Sequence, residues 1–217
     1  MGVRSKIKTL WSLSWVKFVY YNFFCPKIVR KGKGYVLPYP NAVIDLGKGA
    51  QIILEDGNFH INGNKPSGSQ AEAFLKLKED ASLLIHHDLI LNYNATIEIH
   101  KGATIEIGSA YINSNAVVLA AERITMGEGI LVSRDVLIYD SDHHPIVNEA
   151  GEQINPPRPV IIGNHVWIGL KCTLLRGTKI GDGAVIAANS LVGGKIKAGT
   201  MASGNPARSY SEIHWKG

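Results

Sequence analysis

The sequence predicts an all-β solenoid, a coil of three short strands repeated along one axis. Three observations lead there. From Ile162 onward the chain reads in sixes: IGNHVW, IGLKCT, LLRGTK, IGDGAV, IAANSL, VGGKIK. The lead positions Ile162, Ile168, Leu174, Ile180, Ile186 and Val192 are all aliphatic, and each is followed by Gly or Ala except at Leu175. The composition agrees: 23 glycines among 217 residues, with only 8% aromatics, suit many tight corners rather than a large aromatic core. A helix does not keep a strict six, because its apolar face recurs at three or four and drifts. A hairpin sheet alternates at two and has no need of a small residue every sixth position. One aliphatic side chain per strand pointing to an axis, with small residues at the corners, satisfies both patterns. Stacked coils then pair backbone to backbone at about 4.8 Å per layer.

The elements follow in order. Residues 1–33 form a basic, aromatic arm expected to be helical. Arg4, Lys6, Lys8, Lys17, Lys27, Arg30, Lys31 and Lys33 all precede the first acidic residue, Asp45, and stand among Trp11, Trp15, Phe18, Tyr20, Tyr21, Phe23 and Phe24. Two placements are open for this arm. It lies on an anionic membrane surface as a peripheral contact, or its aromatics pack on the body while its lysines stay in water. The remaining 15 basic and 18 acidic residues leave the body slightly acidic, which argues against a nucleic-acid partner. Lys17 and the lack of a small-residue cleavage site argue against a secretory leader.

Residues 34–208 form the solenoid, and 209–217 a tail. Leu46 and Ile52, then Ile85, Leu91 and Ile97, then Ile112, Val118 and Ile124, then Met126, Val132 and Ile138 keep the six-residue spacing upstream. Two intervals break it, at about 56–80, where GNKPSGSQ is turn chemistry, and at about 140–159. Insertions in a solenoid emerge on one face and carry function, so the second break is the place to look for chemistry. No run approaches the roughly 18 to 20 apolar residues of a spanning helix. Two cysteines, Cys25 and Cys172, make no disulfide framework and favour a reducing, cytoplasmic setting. Cys172 occupies an inward small position and reads as core.

In the second break, His143 and His144 stand before Pro145 and beside Asp140 and Asp142. Such a group offers a general base with a carboxylate to orient it.

With these residues in hand, the chain resembles the hexapeptide-repeat acyltransferases. The resemblance implies a left-handed parallel β-helix, usually a homotrimer with active sites between subunits. Within that group the Asp140-x-Asp142-x-His144-Pro145 stretch is similar to the galactoside, maltose and polysaccharide O-acetyltransferases, where a His-Pro in this inserted loop supplies the catalytic base. By position the base is His144, with His143 as the fallback base and otherwise on the acceptor side, and Asp142 or a backbone carbonyl holding the imidazole. Tyr111-Ile112-Asn113-Ser114-Asn115 resembles the group's Tyr-x-Asn-x-Asn. This implies Asn113 as the site asparagine, with Tyr111 and Asn115 beside the sugar. A carboxylate that the group places a few residues later is Ala121 here.

The donor implied is acetyl-CoA, with no metal. Trp167 matches a tryptophan beside the coenzyme A arm. Gly169, Ala187, Ala188 and Ser190 fall where backbone amides contact pantetheine, and small residues permit that approach. Lys179, Lys195, Lys197 and Arg208 are the cations for the nucleotide phosphates. Arg208 lies in Gly204-Asn205-Pro206-Ala207-Arg208, which resembles the group's closing Gly-x-Pro-x-Arg, and Lys195 takes the place of a Thr-Lys pair. The resulting expectation is acetyl transfer to a sugar hydroxyl of a cell-surface or exopolysaccharide glycan. Transfer to the amino group of a nucleotide-linked sugar, a zinc hydratase of the γ-carbonic anhydrase kind, and a silent assembly solenoid are the alternatives.

Overall fold

The computed structural model describes residues 12–216; Arg4, Lys6, Lys8 and Trp11 of the arm lie outside the described residues. The chain winds as a left-handed, three-sided parallel β-helix, each turn laying one strand on each of three sheets. The first side stacks Ile28–Arg30, Gln51–Leu54, Ser82–Ile85, Thr104–Ile107, Arg123–Met126, Val160–Ile162, Lys179–Ile180 and Lys195–Ile196. The second stacks Val36–Pro38, Phe59–Gly63, Leu89–Asn92, Ala110–Ile112, Ile130–Val132, Trp167–Ile168, Val185–Ile186 and Thr200–Gly204. The third runs from Ala42–Leu46 through Ala73–Leu77, Thr96–Ile99, Val117–Ala120, Leu137–Tyr139 and Thr173–Leu174 to Leu191–Val192.

The six lead positions are all buried, two per side, and stack in register: Ile162 on Ile180, Ile168 on Ile186, Leu174 on Val192. Val166, Cys172, Thr178, Ala184, Ser190 and Ile196, four residues further on in each repeat, are buried too and fill the corners from inside. Cys172 Sγ lies 3.0 Å from the Ala187 carbonyl oxygen, and burial raises its pKa. Its setting is that of core.

Upstream the sides are wider. Ser82–Ile85, Thr96–Ile99 and Thr104–Ile107 each bury two alternate residues. This corrects the first predicted insertion. Residues 56–80 contain two regular strands, Phe59–Gly63 and Ala73–Leu77, and only the connection between them leaves the coil. Two inward residues per strand conceal a six-residue count there. The solenoid also begins earlier than residue 34, because Ile28–Arg30 already pairs with Gln51–Leu54. At the other end Ala207–Glu212 folds back antiparallel on Thr200–Gly204, so part of the tail extends the second side.

The arm's packed placement is met by Phe18, stacked on Tyr35, and by Tyr21, packed on the core, and corrected for the rest. Helix α1, Trp15–Val19, continues as a π-helical turn, Tyr20–Phe24. Lys17 and Lys27 turn inward and donate to the Ala42 and Leu46 carbonyls, while Trp15, Tyr20, Phe23 and Phe24 are exposed.

A polar ladder clips successive coils on the first side. His86 Nδ1 lies 2.8 Å from a Glu55 oxygen and Nε2 3.2 Å from Glu106, which also accepts from Arg123 at 2.6 Å. The hydrogen bond with Glu55, ahead of that with Glu106, raises the His86 pKa above its ordinary 6.5. A raised folded value adds stability that is fully present below about 6.5 and is lost as pH climbs through the folded value. His86→Gln should therefore lower Tm at about pH 5.5, and the gap to the parent protein should close by about pH 9. A gap that widens with pH would show that the imidazole does not clip the coils.

Candidate active site

Parallel register turns distant sequence positions into columns. Asn113, Ser133, Gly169 and Ala187 stack at the corner between the second and third sides, because Ile112, Val132, Ile168 and Ile186 are aligned one residue earlier. Beside them runs the outward column of Trp167, Val185 and Met201, and beyond them Arg134, Leu170 and Ala188. Together these columns line a groove of about 400 Å³ whose walls are mostly carbon.

Each lining residue has a local cause. Gly169 is required by the scaffold: a Cβ there would lie 2.5 Å from the Ile186 carbonyl oxygen and 2.8 Å from the Ala188 nitrogen. Trp167 is 42% exposed and donates from Nε1 to Ser133 Oγ at 3.1 Å, which holds the indole over the groove. Asn113 Oδ1 accepts from the Ser114 N–H at 2.9 Å. The groove thus gathers Asn113, Trp167, Gly169, Ala187 and Ala188. Ser190 lies behind it, buried, donating to the Ala187 carbonyl and accepting from the Gly204 N–H. Arg134, a cation that sequence reasoning missed, is exposed at the groove. It shares a column with Leu170 and Ala188, but the insertion between 132 and 160 hides that spacing.

Several expected partners stand elsewhere. Asn115 has a left-handed φ of 63° and donates to Asp135 at 3.0 Å. It belongs to a run of left-handed residues at this corner with Asn94, Asp135, Lys171 and Asn189, where asparagine tolerates the conformation. Tyr111 accepts at its hydroxyl from Asn64 at 3.2 Å and borders a second hollow of about 250 Å³ with His165 and Trp215. Trp215 lies flat on His165, centroids 3.8 Å apart. Lys179 and Lys195 pair in register on the first side, on a different face from Trp167. Lys197 lies near the end of the solenoid, its N–H donating to Ser209 Oγ at 3.2 Å. Arg208 is in the terminal hairpin on the second side and donates to the Ala207 carbonyl.

The loop at 140–159 leaves the corner between the third and first sides. Asp140 is fully buried, and its carboxylate accepts the N–H groups of Ala121, Glu122 and Arg123 at 2.6–2.8 Å. Its carbonyl accepts from Arg158 at 2.8 Å, tying the loop's exit to its entry. The Asp140 carboxylate thus stands beside Ala121 but is spent on backbone. Asp142 does not orient an imidazole either: it accepts from Arg176 at 2.8 Å and Asn155 at 3.1 Å. Desolvation would raise its pKa, but the hydrogen bonds from Asn155 and Arg176 outweigh that and hold it below the ordinary value. Asn155, 3% exposed, also donates to the His144 carbonyl at 2.8 Å and accepts from the Ile146 N–H at 2.6 Å. These contacts fix the backbone that carries the histidines.

His143 takes a left-handed φ of 60°, and its ring lies 5.2 Å from that of His100 and 6.4 Å from Tyr139. His100 touches Lys78 at 3.1 Å, and burial followed by that lysine lowers its pKa. His144 is exposed, its backbone N–H bonded to the Asp142 carbonyl. Within one chain the imidazole and the groove are not brought together. A whole third side lies between their corners, six residues from Arg134 to Asp140, or about 20 Å at 3.3 Å per residue. Among the described residues no three His, Cys, Asp or Glu side chains form a metal-binding group.

Residues 159–193 match the family model described as the hexapeptide repeat of succinyl-transferase. That stretch supplies strands to all three sides of the coil. The chain is similar to the galactoside O-acetyltransferase of Escherichia coli K12, 34% identical over 116 residues, covering 52% of this chain and 56% of that protein. It is also similar to the polysialic acid O-acetyltransferase of Neisseria meningitidis, 32% identical over 106 residues, covering 48% of this chain and 49% of that protein. The chain thus spans about half the length of these curated relatives. Among solved structures, the polysialic acid O-acetyltransferase OatWY superposes with a TM-score of 0.54 at 21% identity, covering 87% of this chain and 90% of that one. That likeness concerns the fold.

The clamp at the loop's root is testable. Asp140→Ala leaves three backbone donors unpaired at about 1–3 kcal/mol each, so stability should fall by at least ~3 kcal/mol. In a chain of this size that is a Tm loss of roughly 6–12 °C by calorimetry. An unchanged Tm would show that the carboxylate is not the anchor.

Proposed function

We propose that this protein is an acetyl-CoA-dependent O-acetyltransferase acting on a sugar hydroxyl of a cell-surface or exopolysaccharide glycan or its precursor. The observation that carries the reading is the groove of Asn113, Trp167, Gly169, Ala187 and Ala188. It is apolar and shallow-walled, suits an extended pantetheine arm, and has a polar amide at one end. The similarity to galactoside and polysialic acid O-acetyltransferases supports the acceptor class, and coenzyme A as donor places the reaction in the cytoplasm.

The site is completed by a neighbouring copy in a homotrimer. The feature that favours this is that the imidazole and the groove occupy different corners of one chain. Outward apolar residues stand on the second side at Tyr111, Leu131 and Trp167 and on the first at Ile53, Leu84 and Ile161. Packing the second side of one copy against the first side of the next covers both rows and sets the loop's corner of one copy beside the groove's corner of the other. It also carries a 140–159 loop to each groove.

There a neutral His144 takes the proton of the sugar hydroxyl as that oxygen bonds to the acetyl carbonyl carbon. The Asn113 amide or a corner N–H receives the developing oxyanion. The carbon–sulfur bond breaks, and the coenzyme A sulfur leaves as thiol with the proton from His144. No acetyl-enzyme forms, in keeping with the buried Cys172.

His144→Ala should lower kcat about 10²- to 10⁴-fold, with Tm and coenzyme A binding retained, because its side chain is exposed. The acetylated product should release acetate in mild alkali, as an ester does and an amide does not. Near-full activity of His144→Ala would remove this imidazole from the mechanism.

A further inference from the structure

The helical segment at the start of the described chain has its polarity inverted. Its polar side chains point into the protein. Asn22 donates to the Val36 carbonyl at 2.7 Å and accepts the Val36 N–H at 2.9 Å, behaving toward that strand as a further strand would. Lys17 donates to the Ala42 carbonyl at 2.6 Å and Tyr21 to Ile44 at 3.3 Å. Those backbone groups are the ones that a preceding coil would have paired, so α1 and its π-helical continuation lie across the open end of the prism and close its edges.

The opposite stripe is Trp15, Val16, Val19, Tyr20, Phe23 and Phe24, exposed by 49, 84, 41, 50, 59 and 72%. These positions recur as adjacent pairs four apart, which is one face of a helix. An ordinary surface helix buries such a face and wets the other. Here the stripe of six is left exposed, while Phe18 stacks on Tyr35 at 5.9 Å and Tyr21 packs on the core.

Charge identifies what covers it. Lys31 and Lys33 are exposed on the adjoining segment, and no acidic residue precedes Asp45. Of the other cations there, Lys17 and Lys27 are engaged with carbonyls, and Arg4, Lys6 and Lys8 lie outside the described residues. A second copy on the same face would bring two like-charged clusters together. An anionic bilayer offers charge of the opposite sign beside apolar depth, the setting in which Trp, Tyr and Phe collect at membrane interfaces. We propose that the Trp15–Phe24 end of the solenoid docks on an anionic lipid surface, with the prism standing end-on. Among the described residues no helix is long and apolar enough to cross a membrane, so the contact is peripheral. This inference does not depend on the proposed acetyl transfer.

Flotation of the full chain tests it, using vesicles of phosphatidylcholine alone or with about 30% phosphatidylglycerol. The protein should float with the anionic vesicles only and be released at about 0.5 M salt. A Val16→Ser/Phe23→Ser/Phe24→Ser variant, and separately Lys31→Glu/Lys33→Glu, should each weaken partition at least about tenfold with Tm unchanged. Three results would overturn it: no flotation of the parent protein, equal flotation with both vesicle types, or a serine variant that still floats. A fourth would be a fall in the serine variant's sedimenting mass, which would assign the face to a contact between copies.

Discussion

The backbone ladder between coils governs this molecule. Each coil pairs with the one before and the one after, so its path is set to within a residue by its neighbours, and its aliphatic residues are buried only in company. Ile162, Ile180 and Ile196 form one such column; Ile138, Leu174 and Val192 form another. A consequence is that residues far apart in the chain are held in fixed rows. Asn113, Gly169 and Ala187 meet in one groove without any loop to gather them. Gly169 is demanded by the closeness of the next coil, and that same absence of a side chain keeps the groove shallow. Stacking and binding ask for the same residue.

The corners divide labour. Left-handed residues crowd the corner between the second and third sides, where Asn115 and Asp135 bond to each other and stiffen the groove's edge. The corner between the third and first sides is interrupted by the one long excursion, whose two ends Asp140 holds at a single point. Asp142, Asn155 and Arg176 shape what lies beyond. The histidines are thereby carried on a rigid bracket at a corner that its own groove does not reach. That separation is the reason the proposed reaction centre draws its two halves from different copies.

Much of the architecture was legible. Six aliphatic residues at a spacing of six, five of them followed by a small one, have few physical realisations, and the buried columns from Ile162 to Val192 are where the spacing put them. The count weakened upstream because strands such as Thr96–Ile99 bury two residues each, so 56–80 read as a loop although Phe59, Ile61, Ala73 and Leu75 are core. In the site, residue types did not name hydrogen-bond partners. Asp140 and Asp142 flank the histidines in sequence yet spend their oxygens on backbone, Arg176 and Asn155, which only the folded loop brings near. Arg134 was hidden because its column is interrupted by the excursion. The arm's direction was illegible for a different reason: helical spacing separates two stripes but does not say which one faces in. That choice fell to the unpaired backbone of the first coil, which Asn22 and Lys17 satisfy.

The central claim is that one copy's His144 serves the next copy's Asn113 groove. Co-expression of His144→Ala and Asn113→Ala chains carrying different tags, with isolation of mixed assemblies, tests it directly. Every mixed ring of three copies has an intact pairing at about one third of its sites. Mixed assemblies should therefore recover about that fraction of the parent acetyl-transfer rate, while each variant alone stays inactive. Mixed assemblies no more active than the separate variants would contradict the account, since a site built within a single chain gains nothing from its neighbour.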